Sequence, residues 1–380
     1  MNNLHISLTS FTHSSRVMKE VNSLLAYKIV TKVYIAALHD YNLELERVFK
    51  NDLILRRFKL TTRNLGKNLL VQILKYFELM YRITFFYRNK DIKVINVHSI
   101  ALLPFGVFLK YLFRAQLIYD AHELETEVND LKGLRQRLAK FIEKTLIKKC
   151  DLIFVVSENI ADWYLKVYDI QRPLVIKNVP RLTDIKKTNH FKENLRIKDD
   201  SIIVLYQGGL SKGRGVDLLL EAFKKRIDDK VVIVFMGYGQ LEEQIKIVTK
   251  ERNNIFYHQA VAPEIVLEYT SSADLGIHMI QNTCLNHYFC LPNKLFEYAM
   301  AGLPVIISNM KEMRELVEFY DMGIIVEEES VNALNDAIDT ILRSDLKQMK
   351  QNARRCAKEN SWEVQELKMI KGYMSILYGK

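Results

Sequence analysis

Two stretches in the second half of the chain carry charged side chains at spacings that suit a phosphate-containing ligand. In LPNKLFEYAMAGLPVIIS (residues 291–308), Lys294 and Glu297 stand three residues apart, which places both on one face of a helix. The lysine could neutralise a phosphate, and the carboxylate could accept hydrogen bonds from two ribose hydroxyls. A surface ion pair beside a packed helix is the commoner meaning of this spacing.

The second stretch, QGGLSKGRGVDLLLEAF (residues 207–223), combines glycines with basic residues. Gly208 and Gly209 would let the backbone come close to a ligand, and Lys212 and Arg214 could bind phosphate. Glycine-rich turns with a nearby cation occur in many proteins, so this stretch is weak evidence when taken alone.

A third candidate is His122, which lies just beyond a predicted strand at residues 116–119. A histidine after the carboxyl end of a parallel strand lies in the ligand crevice of an open α/β sheet, where it can bind a hydroxyl or transfer a proton. A single histidine is more often a surface or capping residue, and we assign that ordinary role to His98.

The segments around these candidates alternate between short apolar runs and helical patterns. Pro292 suits the first position of a helix and Gly302 its end, while the apolar runs at 274–280 and 304–307 are short enough to be strands. This order predicts a parallel sheet in which the helix beginning near Asn293 directs its free N–H groups at a ligand.

The first half of the chain shows the same alternation, with predicted strands at 3–9 and 32–38 and a helix at 17–26 between them. The loop at 10–15 follows the first strand and contains no glycine. The dinucleotide-binding fingerprint is therefore absent there, and we expect no tightly held NAD or FAD.

The positive charge of the chain is confined to its first half. Residues 1–180 contain 28 Lys+Arg against 17 Asp+Glu (+11) and residues 181–380 contain 27 against 28 (−1), which together give the net charge of +10. Residues 47–93 hold 12 basic and 3 acidic side chains among phenylalanines and tyrosines. Within them, residues 68–88 form an almost wholly apolar helical pattern, which fits either a membrane interface or burial in the domain. We expect an anionic partner for this half.

The length of 380 residues allows two domains, and a composition with 49% hydrophobic and 26% charged residues excludes a disordered chain. The four cysteines have neither paired metal-binding spacing nor a disulfide pattern, which favours a reducing cytosol. The sequence shows no secretory signal, no stretch that could span a membrane and no Asp-x-Asp motif for a divalent cation.

Taken together, these stretches resemble the retaining glycosyltransferases of family 4, and in particular the subgroup with a Pro-Asn-Lys motif before its ribose-binding Glu. The strongest matches, in the order and at the spacing of the family, are YQGGLSKGRGVDLLLEAF, FMGYGQLEEQI, SSADLGIHMI and LPNKLFEYAMAGLPVIIS. The resemblance covers nearly the whole chain. It implies an α/β GT-B fold, with two Rossmann-like β/α/β domains facing across a cleft.

The resemblance also implies a division of the chain between acceptor and donor. Residues 1–180 would form an acceptor-binding domain and residues 181–360 a nucleotide-sugar-binding domain, while a helix in 361–380 would pack back on the first domain and brace the cleft. We expect a nucleotide-diphosphate sugar as the donor substrate, with no cofactor and no metal.

By resemblance, Glu297 would hold the donor ribose, Arg214 and Lys294 would neutralise its diphosphate, and His122 would meet the transferred sugar. The implied donor site also contains Gly208, Gly209, Asn293 and, in the loop that would select the base, Val261.

Two departures from the family pattern affect the expected site. The family often has an arginine where this chain has Gly209, and many members have a glutamate where it has Phe289. The Pro-Asn-Lys subgroup also lacks the glutamate at the position of Phe289. Lys294 would replace the arginine that is missing at Gly209.

These features predict an enzyme that transfers a sugar to a membrane-associated glycan, carried on a polyprenyl diphosphate, during the synthesis of a cell-surface polysaccharide such as lipopolysaccharide or capsule. It would be cytoplasmic and peripheral on the inner face of the plasma membrane, held to the anionic surface through residues 47–93. One alternative is a catalytically inactive partner subunit, which Gly209 and Phe289 would allow. Another is a nucleic-acid-binding protein, suggested by the pI of 9.1 but lacking a recognisable binding module. We expect no nucleic-acid partner.

Overall fold

The computed structural model of the chain describes every residue except His13, Lys67, Ile227, Asp229 and Lys380. The chain divides into two compact units, one formed by residues 1–176 with 366–380 and the other by residues 177–365. The acceptor and donor roles assigned to the two halves from the sequence stay predictions.

The first unit is built on an eight-stranded sheet with the strand order β3-β4-β2-β1-β5-β6-β7-β8. Its strands are β1 (Asn2–Ile6), β2 (Lys32–Leu38), β3 (Glu46–Lys50), β4 (Leu53–Phe58), β5 (Ile92–Val97), β6 (Gln116–Ala121), β7 (Leu152–Val155) and β8 (Leu174–Val175). All neighbours pair in parallel except β3, which runs antiparallel to β4 at the sheet edge. We did not predict β3 or β4 from the sequence. For β3 the reason is that this exposed, charged strand has none of the apolar pattern of a buried strand.

Among the described residues of the first unit, five α-helices connect these strands. They are α1 (Ser15–Ala26), α2 (Leu69–Tyr87), α3 (Leu103–Phe113), α4 (Gly133–Leu146) and α5 (Glu158–Tyr168). Helix α3 packs tightly on the sheet, because a Cβ atom at its Gly106 would lie 2.8 Å from the side chain of Val97 in β5.

Helix α2 is not buried in its domain, which was one of the two alternatives that the sequence left open. Only Leu79, Ile83 and Tyr87 of this helix are buried, whereas Leu70 is 78% and Tyr81 is 69% exposed. In the described part of the chain, no helix is both long and apolar enough to cross a membrane.

The second unit has a six-stranded sheet with the order β11-β10-β9-β12-β13-β14, in which every neighbouring pair is parallel. Its strands are β9 (Ile202–Gly209), β10 (Val231–Tyr238), β11 (Ile255–Gln259), β12 (Leu275–His278), β13 (Val305–Ser308) and β14 (Gly323–Val326). Its helices are α6 (His190–Leu195), α7 (Val216–Lys225), α8 (Glu242–Thr249), α9 (Val266–Ser271), α10 (Leu285–Tyr288), α11 (Asn293–Met300), α12 (Lys311–Tyr320), α13 (Val331–Arg343) and α14 (Leu346–Glu359). The central strands read as continuous apolar runs because helices cover both faces of a parallel sheet.

Helix α11 is fixed to this sheet by the buried Tyr298. The Tyr298 hydroxyl accepts a hydrogen bond from the backbone N–H of Gln207 at 3.1 Å and lies 3.0 Å from the carbonyl oxygen of Leu205, both in β9. The tyrosine ring rests against Gly276 of β12, where a Cβ atom would lie only 2.4 Å from the ring carbon Cγ. A residue without a side chain at 276 thus lets α11 lie close to the sheet.

The last helix, α15 (Trp362–Tyr378), contains the boundary between the two units, which falls after Gln365. Trp362 is fully buried, and its backbone N–H donates to the carbonyl oxygen of Pro180 in the second unit. In the first unit, the Tyr373 hydroxyl accepts a hydrogen bond from Asn96 Nδ2 at 2.6 Å. Residues 366–378 therefore pack on the first sheet.

We expect the change Gly276→Ala to destabilise the second unit by about 1–3 kcal/mol, because the new methyl group would push the Tyr298 ring away from β12. Urea unfolding followed by the fluorescence of Trp362, in a Trp163→Phe background, measures this effect. The control is Gly66→Ala, which adds a Cβ in open space and should change the free energy of unfolding by less than about 0.5 kcal/mol. Equal stability of the two variants would contradict the packing described here.

Candidate functional site

A cavity of about 290 Å³ opens at the carboxyl ends of β9 and β10, beside the first turn of α11. Six of the eight residues that we predicted for the site line it, and these are Gly208, Gly209, Val261, Asn293, Lys294 and Glu297. Of the other two, Arg214 lies next to this cavity and His122 lies in the first unit.

The glycines at the end of β9 make room for a cation. Gly208 has a backbone φ of +122°, and a Cβ atom there would lie 2.6 Å from the Lys294 Nζ atom. A Cβ at Gly209 would lie 3.9 Å from the side chain of Arg214. Two positively charged side chains, Lys294 and Arg214, therefore flank the Gly208–Gly209 turn.

The carboxylate of Glu297 is oriented by two amide side chains. Asn293 Nδ2 donates to Glu297 Oε1 at 2.9 Å, and Gln207 Nε2 donates to Glu297 Oε2 at 2.5 Å. The Thr270 hydroxyl lies 2.8 Å from Gln207 Oε1 and so orients the Gln207 amide.

Gln207 and Thr270 are residues that the sequence analysis missed. Gln207 stands directly before the glycine pair at the end of a strand. This position at the carboxyl end of a strand could have identified it as a site residue. Thr270 is on α9, and nothing in its local sequence marks it, because only the folded chain brings it to Gln207.

The basic side of the cavity is buried and electropositive. Burial and the nearby charge of Arg214 lower the pKa of Lys294 to about 8, with Glu297 acting in the opposite direction. Burial, followed by the charges of Lys294 and Arg214, also holds the pKa of His278 well below its usual range, so that this ring is neutral. Within the described part of the chain, neither ring nitrogen of His278 has a hydrogen-bond partner. Such a region favours an anionic ligand.

In the first unit, His122 belongs to a buried polar cluster centred on Asp120, the penultimate residue of β6. Arg16 binds both oxygens of Asp120, with Nη2 at 2.7 Å from Oδ1 and Nε at 3.1 Å from Oδ2. His122 Nε2 lies 2.7 Å from Asp120 Oδ2, and a third of the His122 side chain is exposed. Burial alone would raise the pKa of Asp120, but Arg16 and the histidine contacts hold it well below its usual range.

His98 is part of this cluster, and the surface or capping role that we assigned to it was wrong. Its side chain is only 8% exposed, and its Nδ1 lies 3.2 Å from Asp120 Oδ2. The physical reason is the parallel pairing of β5 with β6, which brings the residues that follow the two strands together.

Two groups of three side chains in the described residues are close enough to bind a metal ion, namely His98 with Asp120 and His122, and His5 with Glu20 and His98. In the first group, the ligand atoms already contact one another directly at 2.7–3.2 Å, and Arg16 holds both Asp120 oxygens. This cluster is satisfied by hydrogen bonds without an ion. That the protein needs no metal stays a prediction.

A second cavity, of about 350 Å³, lies in the first unit between the ends of β1 and β2 and the buried side of α2. Its walls are mostly apolar, with Leu8, Leu38 and Leu60 among them, and it also has two cations, Arg63 and Lys75. Lys75 Nζ donates to the backbone carbonyl oxygen of Leu65 at 3.1 Å, whereas Arg63 pairs with Asp40. An apolar cavity with a cationic rim suits a ligand that combines a hydrocarbon group with negative charge.

Two protein-family models match the chain, one in each half. The model described as "Glycosyl transferases group 1" matches residues 187–358, and the model described as "Glycosyltransferase Family 4" matches residues 32–179. The chain is a GT4-type glycosyltransferase.

The curated relatives of this glycosyltransferase are distant. An uncharacterised 41.2 kDa protein in the cps region of Klebsiella pneumoniae is 23% identical over 270 residues, which are 65% of this chain and 68% of that protein. An uncharacterised glycosyltransferase of Methanocaldococcus jannaschii is 21% identical over 265 residues, 66% of each chain.

Solved structures share the fold over the whole chain. Sucrose-phosphate synthase from Thermosynechococcus elongatus has a TM-score of 0.82 at 17% identity, Anabaena HepE in complex with UDP-glucose 0.73 at 14%, and WaaG, a glycosyltransferase involved in lipopolysaccharide biosynthesis, 0.70 at 15%. In each case, 100% of both chains is covered. The two Rossmann-like units therefore confirm the predicted GT-B fold class.

We expect the glycosyltransferase to bind a nucleoside diphosphate more weakly as the pH rises through about 8, the pKa of Lys294 in the free protein. Only the protonated lysine attracts the diphosphate, so the dissociation constant should increase by up to about tenfold per pH unit above that value. Calorimetric titration with UDP and GDP between pH 7 and 9 measures this dependence. The matched variant Lys294→Met should bind weakly without this dependence, and a flat profile for the unmodified protein would contradict the assignment.

Proposed function

We propose that this glycosyltransferase is a retaining enzyme that transfers a sugar from a nucleotide-diphosphate sugar to a membrane-associated glycan in cell-surface polysaccharide synthesis. The observation that carries the proposal is the Glu297 carboxylate, held by Gln207 and Asn293 in a cavity beside the buried cation of Lys294. A carboxylate next to a cation at the carboxyl ends of parallel strands suits a ribose joined to phosphates.

In the proposed reaction, the donor diphosphate departs and gains negative charge. Lys294, Arg214 and the N–H groups at the start of α11 would stabilise that charge, and because they are in place before the reaction they need no reorganisation. Removing one such group typically costs about 3–4 kcal/mol of barrier, or roughly 100- to 1000-fold in rate. These cations supply the charge for which other enzymes use a divalent ion, and we propose that this enzyme needs neither metal nor cofactor.

Retention would follow if the leaving diphosphate shields one face of an oxocarbenium-like sugar while the acceptor hydroxyl attacks from the same side. The bond from the anomeric carbon to the phosphate oxygen would break, the bond to the acceptor oxygen would form, and the departing phosphate oxygen would take the hydroxyl proton. Neither Asp120 nor Glu297 acts as a nucleophile in this proposal. Asp120 is paired with Arg16, and Glu297 accepts hydrogen bonds from Gln207 and Asn293. His122 would contact the transferred sugar.

The acceptor in our proposal is a glycan on a polyprenyl diphosphate. The 350 Å³ cavity of the first unit supports this choice, because it has leucine walls for a hydrocarbon group and the cations Arg63 and Lys75 for phosphate. A setting in surface polysaccharide synthesis is in line with the location of the Klebsiella relative in a cps region and with the role of WaaG in lipopolysaccharide biosynthesis.

We propose that the enzyme is cytoplasmic and peripheral on the inner face of the plasma membrane, bound through residues 47–93. Exposed apolar side chains recur along α2 at intervals of three or four residues, and these are Leu70, Leu74, Phe77, Tyr81 and Phe85. A stripe of this kind on a basic domain can enter the interface of an anionic bilayer, where burial of the apolar area and charge attraction act together.

The donor site can be tested by thermal unfolding of the full chain with UDP, GDP, ADP, CMP and dTDP, in EDTA. We expect one of them, at a concentration about 100-fold above its dissociation constant, to stabilise the protein by about 2.7 kcal/mol. The stabilisation should disappear in Glu297→Ala and persist in the control Glu243→Ala, which removes an exposed carboxylate of the same unit. If none of the nucleotides stabilises the protein, the inactive-partner alternative replaces the proposed function.

The membrane surface can be tested by sedimentation with vesicles of phosphatidylcholine containing phosphatidylglycerol. The double change Phe77→Ser and Tyr81→Ser should weaken binding about 100-fold or more, because each aromatic side chain loses roughly 1.5–3 kcal/mol of burial. The matched control is Phe319→Ser, since this side chain is 74% exposed on α12 of the second unit. Equal binding of both variants would exclude α2 as the contact surface.

A further inference from the structure

Asp120 and three histidines form one continuous chain of contacts in the first unit. His5 Nδ1 lies 2.9 Å from His98 Nε2, His98 Nδ1 lies 3.2 Å from Asp120 Oδ2, and His122 Nε2 lies 2.7 Å from the same oxygen. At the far end, Asn3 Nδ2 lies 3.1 Å from His5 Nε2. Each contact needs one donor and one acceptor, so the protons in this chain are not independent of each other.

The direction of the chain is set at Asp120. Arg16 binds both carboxylate oxygens and keeps the group ionised, and an ionised carboxylate only accepts hydrogen bonds. His98 Nδ1 and His122 Nε2 must therefore both carry protons. The 3.2 Å approach between these two nitrogens is then a proximity of two donors that share one acceptor.

The remaining protons follow in order when the rings are neutral. A proton on His98 Nδ1 leaves His98 Nε2 as an acceptor, so His5 Nδ1 must donate to it. His5 Nε2 then accepts from the Asn3 amide, as its distance allows. Burial lowers the pKa of both His5 and His98, in agreement with neutral rings.

The outer end of the chain is the other nitrogen of His122. An imidazole whose single proton is on the Nε2 that donates to Asp120 carries its lone pair on Nδ1. No hydrogen bond to this Nδ1 is present among the described residues, and a third of the side chain is exposed.

We infer that Asp120, His98 and His5 are positioning residues that fix His122 with its proton on Nε2, so that Nδ1 acts toward a ligand only as a hydrogen-bond acceptor. This inference rests on the proposed function for the identity of the ligand, a transferred sugar. A lone pair at Nδ1 binds a hydroxyl, whereas a carboxylate or an ester oxygen offers it no proton. The site selects a donor sugar with a free hydroxyl at this position over a uronic acid or an acylated sugar.

The assignment of protons can be tested directly on the full chain labelled with ¹⁵N-histidine. Long-range ¹⁵N–¹H correlation spectra at about pH 7.5, assigned through single His→Gln variants, should show the Nδ1–H form for His5 and His98 and the Nε2–H form for His122. Since neutral imidazole in water favours the Nε2–H form, two fixed Nδ1–H rings are a specific signature. An Nδ1–H form at His122, or averaging of the forms at His98, overturns the inference.

Zinc provides a second arm, because the same atoms form a possible ligand group. The spectra should not change on addition of one equivalent of Zn²⁺ or of EDTA. If zinc shifts the signals of His98 and His122 together and EDTA restores them, the cluster is a metal site and the inferred proton positions are overturned.

Sugar transfer tests the consequence at the ligand. Using the nucleotide sugar that supports transfer, one of its monodeoxy analogues should lower kcat/KM about tenfold in the unmodified enzyme and have no further effect in His122→Ala, since the lost partner is then already absent. Asp120→Asn should turn the His122 ring over to the Nδ1–H form and lower kcat/KM for the intact donor by about tenfold or more. If deoxygenation at every position acts equally in both enzymes, His122 has no hydroxyl partner and the inference fails at this step.

The two proposals can fail separately. If the histidines have fixed tautomers but the protein transfers no sugar, the inferred proton positions are supported and the proposed function is excluded. Transfer by a protein whose histidines average between forms would do the reverse. If Asp120→Asn does not fold, the spectra of the unmodified protein still decide.

Discussion

Parallel pairing of strands is the constraint on which both sites depend. In the second sheet, β9 and β10 pair in parallel along their whole length. Their glycine-containing ends therefore meet at one edge of the sheet, together with the first turn of α11. In the first sheet, β5 and β6 end side by side and bring His98 to Asp120. Residues far apart in the chain share a site because parallel strands place the loops that follow them at the same edge.

Buried charge is neutralised by an opposite charge in the Asp120 cluster, whereas like charges lie close together beside the cavity of the second unit. The carboxylate of Asp120 is neutralised by Arg16 inside the protein, so this cluster is stable as it stands and can hold histidines in fixed protonation states. In the second unit, burial and the nearby charge of Arg214 together lower the pKa of Lys294 to about 8. A cluster of like charges of this kind gains stability when an anion binds, which couples ligand binding to the protonation of Lys294.

The surface of α2 has a different physical origin. A helix that covers a sheet needs one apolar face, and Leu79, Ile83 and Tyr87 supply it here. The apolar side chains on its opposite face gain nothing from the sheet, and leaving them in water has a cost that a second environment can remove. The sequence thus predicted a helix that is apolar on nearly all sides, but it did not reveal which side would pack on the sheet.

The sequence by itself determined the fold class and most of the lining of the 290 Å³ cavity, because Gly208, Asn293, Lys294 and Glu297 lie in short motifs whose spacing is tied to strand and helix ends. It did not reveal Thr270 or the role of His98, since these residues reach their partners only through pairing between distant segments. Strand β3 was also missed, because an exposed edge strand carries no apolar period. The proton positions that we infer for the histidines follow from tertiary structure alone, since they depend on the charge of Asp120 and on the contacts between the rings.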